Sequence, residues 1–218
     1  MNSALPMLAG PHATLPLDVL LSFALFAVLP LVLVMCTSFV RIVVVLSLVR
    51  SAIGASALPP NTVLTGLALV LTMLVMAPTM QHIQSVALAP LQKGSISQGV
   101  ALERAVAPLR AFMLRQAHLD DIELFTRAAR LRRVAPDATP LTVLIPAFVV
   151  GELRSAFAIG FALYLPFVAI DLAVAATLMG LGMMMLSPPV VSLPIKLLLF
   201  VMVDGWALLC GGVLTSFR

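Results

Sequence analysis

The sequence predicts an all-α, membrane-associated protein of helical hairpins, with about four hydrophobic helical units plus an amphipathic helical middle segment. Three observations support this prediction: an apolar composition, a single cluster of charges, and proline-rich turns between long uncharged stretches. Of the 218 residues, 61% are hydrophobic and 10% are charged, against about 45–50% and about 25% in an ordinary soluble domain. This composition excludes a soluble globule, a disordered chain and a disulfide scaffold, and it leaves an integral membrane protein or a protein buried almost wholly in an assembly.

Long uncharged stretches indicate the hydrophobic units. Val19 to Val40 carries no charge over 22 residues, which is about 33 Å of helix. The other apolar cores run over about 63–80, 155–186 and 190–217. Helix is expected for each, because unpaired backbone polar groups are costly in lipid. Pro59-Pro60 and Pro188-Pro189 separate the two members of each pair, as helix-ending residues should.

We expect a single domain over 1–218. It comprises a first apolar helix pair (19–92), a polar amphipathic segment (93–140) and a second apolar helix pair (141–217). The first ten residues do not resemble a secretory signal peptide, because they lack a basic start.

The polar middle holds thirteen of the 22 charged residues. Apolar residues at helical spacing predict an amphipathic helix from near Ser97 to Gln116 and a second one over 119–129. One interpretation is a solvated cap over the hydrophobic helices. The alternative is that Phe112 and Phe125 point into a shared interior.

Five charged residues lie in or beside apolar blocks and need partners: Arg41, Arg50, Asp171, Lys196 and Asp204. A charge at the centre of a membrane helix costs about 2.5–3.5 kcal/mol on insertion scales. We expect these groups to pair within the chain or between copies. The open alternative is that Asp171 and Asp204 relay protons in a small-solute transporter.

The motifs of enzyme chemistry are missing from the sequence. There is no glycine-rich phosphate loop, no nucleophile–base pair and no metal-ligand spacing among the three histidines and two cysteines. We therefore expect no catalysis, no cofactor and no metal. The net charge of +4 rests on few basic residues in an apolar background, so nucleic acid is not an expected partner.

Three consecutive methionines, Met183, Met184 and Met185, come directly before the turn at Ser187-Pro188-Pro189. They cannot all face one side of a helix, so a simple core stripe does not explain them. Methionine is unbranched and polarizable, and it suits a surface that conforms to varied partners. A ring of several copies would make a soft constriction, although methionine also fills irregular gaps in cores. Glu152 and Arg154 are expected to open the third helix after Pro146.

Several motifs stand in a fixed order along the chain. They are Met35-Cys-Thr-Ser-Phe-Val-Arg-Ile42, Pro59-Pro-Asn61, Leu109-Arg-Ala-Phe-Met-Leu-Arg-Gln116, Leu144-Ile-Pro-Ala-Phe148, Gly182-Met-Met-Met185, Leu193-Pro-Ile-Lys-Leu197 and Val203-Asp-Gly-Trp206. Over about residues 20–217 the chain closely resembles the FliP family of the flagellar type III export gate. The related injectisome R protein, which exports virulence effectors, shares some of these motifs and is the alternative.

The resemblance implies a pore-forming subunit of the bacterial inner membrane and the flagellar basal body, in an assembly that lies largely above the plane of that membrane. Five copies would join one R protein and four Q proteins in a helical ring that contacts inner-membrane lipid and other export proteins, and unfolded flagellar subunits would pass through it. By matching positions, Met183, Met184 and Met185 would form the pore gasket. Phe112, Phe125 and Glu152 would line the pore or join subunits. A scaffold without a pore is a further alternative.

Overall fold

The computed structural model describes residues 27, 31–32, 34–54, 58–132, 135–183 and 185–217. Within these ranges the regular structure is helical and no strand occurs, which confirms the all-α prediction. Packing divides the chain into two units, 1–33 and 34–218. In the first unit, Ala27, Leu31 and Val32 are described and are helical. The single domain expected over 1–218 stays a prediction, and the following paragraphs describe the second unit.

Helix α1 spans Phe39–Ile53. The uncharged stretch 19–40 predicts a first helix there. Most of that stretch lies outside the described residues. Helix α1 instead runs on through Arg41 and Arg50 and ends at Gly54, whose φ of 84° is left-handed. Its buried face repeats at helical spacing through Ile42, Val45, Leu46 and Val49. Helix α1 continues past both arginines. Each has a polar partner, since Arg41 donates to Glu152 and Arg50 donates to Asn61.

The second helical rod is longer than its apolar core of 63–80 predicted. It consists of α2 (Asn61–Ile83), a π-helical turn (Gln84–Leu88) and the short α3 (Ala89–Gln92). The chain bends at Leu58 and Pro59 just before this rod, as expected for a break near Pro59-Pro60. Pro78 lies within α2 and does not end it.

The polar middle forms the two amphipathic helices that the spacing predicted. Helix α4 spans Gln98–Gln116 and begins after Ser97, and α5 spans Leu119–Ala128. The acids of the first turn of α5 and the basic residue of its last turn complement the helix dipole. A short 3₁₀ helix, Pro136–Ala138, leads toward the next long helix.

Helix α6 spans Leu141–Gly180, 40 residues, and includes both Pro146 and Pro166. The expectation that Glu152 and Arg154 open this helix after Pro146 is therefore wrong. Apolar helices tolerate internal proline where neighbouring groups satisfy the freed carbonyls. Glu152 consequently lies well inside α6 and faces the protein interior.

The last hydrophobic unit is two helices rather than one. Helix α7 (Pro188–Met202) and helix α8 (Gly205–Thr215) are bent by 65° at their junction. Asp204 at the bend has a left-handed φ of 50°. A Cβ on Gly205 would lie 2.3 Å from the ring of Phe200, so this close approach requires glycine.

Two apolar clusters hold the second unit together. One joins α1, α2, α6, α7 and α8, and the other joins α2, through Met76, to α4, α5 and the first half of α6. Among the described residues, the rod Asn61–Gln92 and helix α6 are long and apolar enough to cross a membrane, and the bent α7–α8 pair could form a third crossing. Much of their apolar surface is exposed in the single chain, as expected for helices that contact lipid or other subunits.

Candidate functional site

Met183 and Met185 lie at the tip of the hairpin between α6 and α7. We call residues 182–187 the methionine loop. Gly182 has a left-handed φ of 73°, and its N–H donates to the carbonyl of Met179 at 3.0 Å. The N–H of Met183 donates to the carbonyl of Leu178 at 2.9 Å. This pair of bonds is a Schellman motif, which ends α6 sharply and turns the chain toward Pro188.

The side chains of the methionine loop are exposed. Met183 is 45% exposed and Met185 is 103% exposed, so no described residue covers Met185. Met184 lies outside the described residues. Neither described methionine fills a gap in the core of this chain. Large apolar side chains at a hairpin tip are available to contact another molecule.

Arg41 and Glu152 form a buried ion pair between α1 and α6. Arg41 Nε donates to Glu152 Oε2 at 2.9 Å, and Arg41 Nη2 donates to Glu152 Oε1 at 2.5 Å. The exposed fractions are 3% for Arg41 and 0% for Glu152. This two-pronged geometry is the strong form of an arginine–carboxylate contact. The resemblance suggested that Glu152 lines a pore or joins subunits, whereas here its carboxylate is enclosed by its own chain.

The same guanidinium also fixes the end of the chain and α4. Arg41 Nη1 donates to the carbonyl of Ser216 at 2.8 Å and to its hydroxyl at 3.1 Å, and Nη2 donates to Gln116 Oε1 at 3.2 Å. The ring of Phe217 stacks on the guanidinium, with 4.0 Å between Cζ and the ring centroid. Arg41 thus joins four parts of the fold, and the polar partners satisfy its donors in an apolar setting.

A second ion pair links α6 to α7, the two helices that the methionine loop connects. Lys196 Nζ on α7 lies 2.5 Å from Asp171 Oδ2 on α6. Ser192 Oγ donates to Asp171 Oδ1 at 2.6 Å, and Lys196 Nζ also donates to the carbonyl of Ala52 at 3.2 Å. Lys196 is buried and the Asp171 side chain is 39% exposed. Asp171 lies about 14 Å along α6 from the end of that helix at Gly180. Through the bond from Lys196 to Ala52, the pair also connects α6 and α7 to the end of α1.

The remaining predicted site residues have different settings. Arg50 is half-buried and donates to the side chain of Asn61 and to the carbonyl of Pro59. Asp204, expected to be a buried pairing group, is exposed at the α7–α8 bend and makes no side-chain hydrogen bond or ion pair with the described residues. Phe112 is buried and packs edge to face on Phe148, 5.8 Å between centroids.

Phe125 is half-buried against the same apolar cluster as Phe112. Both rings therefore contact the interior of this chain. A role for either in lining a pore or joining subunits stays a prediction.

Several partners of these charges gave no signal in the sequence. Gln116, Ser216 and Phe217 surround Arg41 from distant positions, and no local pattern marks them. Arg154 Nη2 pairs with Asp121 Oδ1 at 2.7 Å, where only a dipole role for the first-turn acids was expected. The one available signal was that a buried arginine needs a carboxylate. Within the described ranges, no group of three or more His, Cys, Asp or Glu residues is placed to hold a metal ion.

Comparison with known proteins identifies the family. The sequence pattern of the FliP family matches residues 22–213. The chain belongs to the FliP family. The flagellar biosynthetic protein FliP of Pectobacterium carotovorum is 49% identical over 209 residues, which are 95% of this chain and 81% of the relative.

Two further FliP-family relatives show the same extent of similarity. The flagellar biosynthetic protein FliP of Caulobacter vibrioides is 49% identical over 87% of this chain and 71% of its own length. The protein of the same name from Bacillus subtilis is 45% identical over 91% of this chain and 90% of its own length. These names favour the flagellar branch over the injectisome alternative.

Proposed function

We propose that this FliP-family chain is a pore-forming subunit of the flagellar type III protein export gate, which passes unfolded flagellar subunits across the inner membrane. The observation that carries the proposal is the hairpin tip at which Met183 and Met185 are exposed, in a chain whose relatives are named flagellar biosynthetic proteins. The apolar helices that could cross a membrane fit an inner-membrane location in the flagellar basal body.

The methionine loop is the proposed gasket. When copies of the chain stand around one axis, their loops would meet and close the opening by apolar contact. Flexible thioether side chains can then conform to any passing polypeptide. The expected assembly has five copies of this chain with the R and Q export-gate proteins, as the family resemblance implies. Each copy would contribute the same loop.

The ion pair between α6 and α7 is proposed to hold the two ends of the flexible methionine loop in a fixed position. The Asp171–Lys196 contact fixes α6 to α7 at 2.5 Å, and Lys196 also binds the end of α1. The two helices are therefore fixed to each other by Asp171 and Lys196, while no described residue covers Met185 in the loop. The methionine side chains can then move aside for a passing polypeptide while the helices of the subunit stay in place.

Substitution of the methionines tests the gasket. Replacing Met183, Met184 and Met185 with Ala should leave assembly intact but let small ions leak through the membrane, because the shorter side chains cannot meet across the opening. The measurement is ion flux across membranes that contain the gate. Met179→Ala is the matched control, since Met179 is similarly exposed but lies within α6. Unchanged ion tightness in the triple variant would reject the gasket role.

The geometry does not favour the proton-coupled transporter. Asp171 is bound by Lys196 and Ser192, while Asp204 is exposed at a bend in another element. A relay would need the two acids to share a path. Saturable solute uptake by the purified chain alone, abolished by Asp204→Asn, would restore this alternative.

A further inference from the structure

An apolar pocket lies at the bend between α7 and α8. Its volume is about 260 Å³. Its described lining residues are all apolar or glycine, and they include Val49 of α1, Phe167 of α6, Phe200 of α7 and Leu208 of α8. Leu208 is 57% exposed, so the pocket opens at the surface of the second unit. An apolar cavity of about 150 Å³ can bind benzene, and this pocket therefore has room for the ring of one phenylalanine.

Two phenylalanines of α6 are exposed in the single chain. Phe161 is 66% exposed, and Phe157 is similarly open. They are four residues apart and so lie on one side of the helix, which we call the phenylalanine flank. An aromatic side chain buries about 150–250 Å² when it is enclosed, and phenylalanine is enriched in the buried cores of protein interfaces. The phenylalanine flank therefore suits contact with an apolar pocket.

The phenylalanine flank and the pocket lie on different sides of α6 at nearly the same level. Leu163 and Pro166 line the pocket. At about 100° per residue they point about 140–160° away from Phe161, and along the axis they are about 3–8 Å from it. Phe161 cannot reach around its own helix into the pocket, whereas the Phe161 of a second copy alongside can. A contact of this kind joins two different faces, and repeated around an axis it closes into a ring.

The two sides of α6 also carry opposite charges. Arg154 lies on the phenylalanine flank, two turns before Phe161, and its side chain is 54% exposed although Nη2 binds Asp121. Asp204 lies between two residues that line the pocket. It is exposed and makes no side-chain hydrogen bond or ion pair within the described ranges. Complementary charges on two faces align those faces when they meet. A lipid acyl chain could fill the pocket, but it would leave this complementarity without a role.

We propose that Phe161 of one copy of this chain enters the pocket at the α7–α8 bend of the next copy, where Arg154 of the first copy faces Asp204 of the second. One contact then covers an exposed ring, fills an open pocket and gives Asp204 a partner. The inference rests on the proposed function, in which several copies stand around one axis, and it adds which two faces meet. Copies joined in this way all point in the same direction, so their methionine loops lie at the same end of the ring.

Cross-linking between the two faces tests this contact. In the full chain with Cys36 and Cys210 replaced by Ala, Ala158→Cys reports on the phenylalanine flank and Leu208→Cys on the mouth of the pocket. Both positions are exposed, so these substitutions spare the core. After assembly with the partner proteins, a short bismaleimide should give a ladder of dimers, trimers and larger species, because each copy is linked to two neighbours. Chains with only one of the two cysteines should stay monomeric, because like faces do not meet.

Removal of the ring tests the role of Phe161 itself. In the chain with both cysteines, Phe161→Ala should lose most of the ladder. Leu172→Ala is the matched control, since Leu172 lies on the same helix and is also 66% exposed but is about 16 Å further along α6. It should leave the ladder intact.

Three outcomes would overturn the proposal. A ladder no stronger than the product of the single-cysteine chains would leave the pocket to lipid, to another protein or to another part of the same chain. Dimers from Ala158→Cys alone, in the same yield as from the pair, would show that like faces meet. An equal effect of Phe161→Ala and Leu172→Ala would show that the ring does not specify the contact.

A second variant covers the case in which Phe161→Ala lowers the helix content measured by circular dichroism. Asp204→Arg then replaces it and should also weaken the ladder, because it places like charges opposite each other; an unchanged ladder would contradict the contact. Cross-linking at Met185 is measured separately. If Met185 links copies while the Ala158 and Leu208 positions do not, this inference fails and the gate proposal stands.

Discussion

At the scale of single residues, Arg41 shows why buried charge requires an enclosed set of partners. It donates to Glu152, Gln116 and Ser216 and stacks on Phe217. Removing one member of a buried ion pair leaves the other charge without compensation, and this costs about 3–5 kcal/mol. The hydrogen-bond partners lie 75 to 175 residues from Arg41 in sequence.

A double-mutant cycle tests this pair. Arg41→Met should lower the free energy of unfolding by about 3–5 kcal/mol, because Glu152 stays buried and unpaired. The Arg41→Met/Glu152→Met double variant should be less destabilised than the two single variants added together. The measurement is denaturant unfolding of the full chain in micelles, with the exposed Arg127→Gln as control. Strictly additive losses would contradict a coupled pair.

The sequence could predict that Arg41 and Lys196 need partners, but it could not predict which ones. A charged residue inside an apolar block can be recognised from the sequence alone. Its partner depends on which helices pack together, and α6 brings Glu152 to Arg41 only after both helices have formed. Asp204 is exposed in the single chain, at a bend with a left-handed φ, so no pairing within the described residues is seen and pairing between copies stays a prediction.

At the scale of elements, one glycine permits close packing of α1 on α6. A Cβ on Gly160 would lie 2.3 Å from Leu48 Cδ1 and 3.0 Å from Leu48 Cβ. The second distance involves the base of a side chain, which cannot swing away. Overpacking of this kind costs about 1–3 kcal/mol.

Alanine substitution tests that contact. Gly160→Ala should lower the thermal unfolding midpoint of the full chain, because α1 and α6 must separate. Gly66→Ala is the matched control in α2, where a new Cβ meets nothing within 4 Å. It should be neutral or stabilising, by up to about 1 kcal/mol, because alanine favours helix. Equal stability of the two variants would show that the α1–α6 approach is not tight.

Periodicity predicted the elements of the polar middle better than those of the apolar blocks. Helices α4 and α5 begin and end near their expected positions, because an amphipathic pattern marks both face and boundary. In an apolar block every face is hydrophobic and internal prolines are tolerated. Hydropathy placed the start of the second apolar pair at 141, but it did not show that α6 continues through Pro146 and Pro166 or that α7 and α8 are separated by a 65° bend.

At the scale of the whole molecule, the proposed gate needs more than one chain. The membrane-capable helices and the methionine loop of a single chain expose large apolar side chains, and soluble monomers rarely expose broad apolar patches. Lipid can cover the helices. In the proposed gate, the methionine loops of several copies meet at a common axis and cover one another.

Cross-linking at the loop tests this claim most directly. The full chain is made with Cys36 and Cys210 replaced by Ala and with Met185→Cys as its one cysteine. After assembly with its partner proteins it is treated with a short bismaleimide. If the loops meet at a common axis, covalent species containing more than one copy of the chain should form. Leu102→Cys, exposed on α4, controls for random collision and should give far less product. A Met185→Cys chain that stays monomeric, or that cross-links no better than Leu102→Cys, would contradict the account.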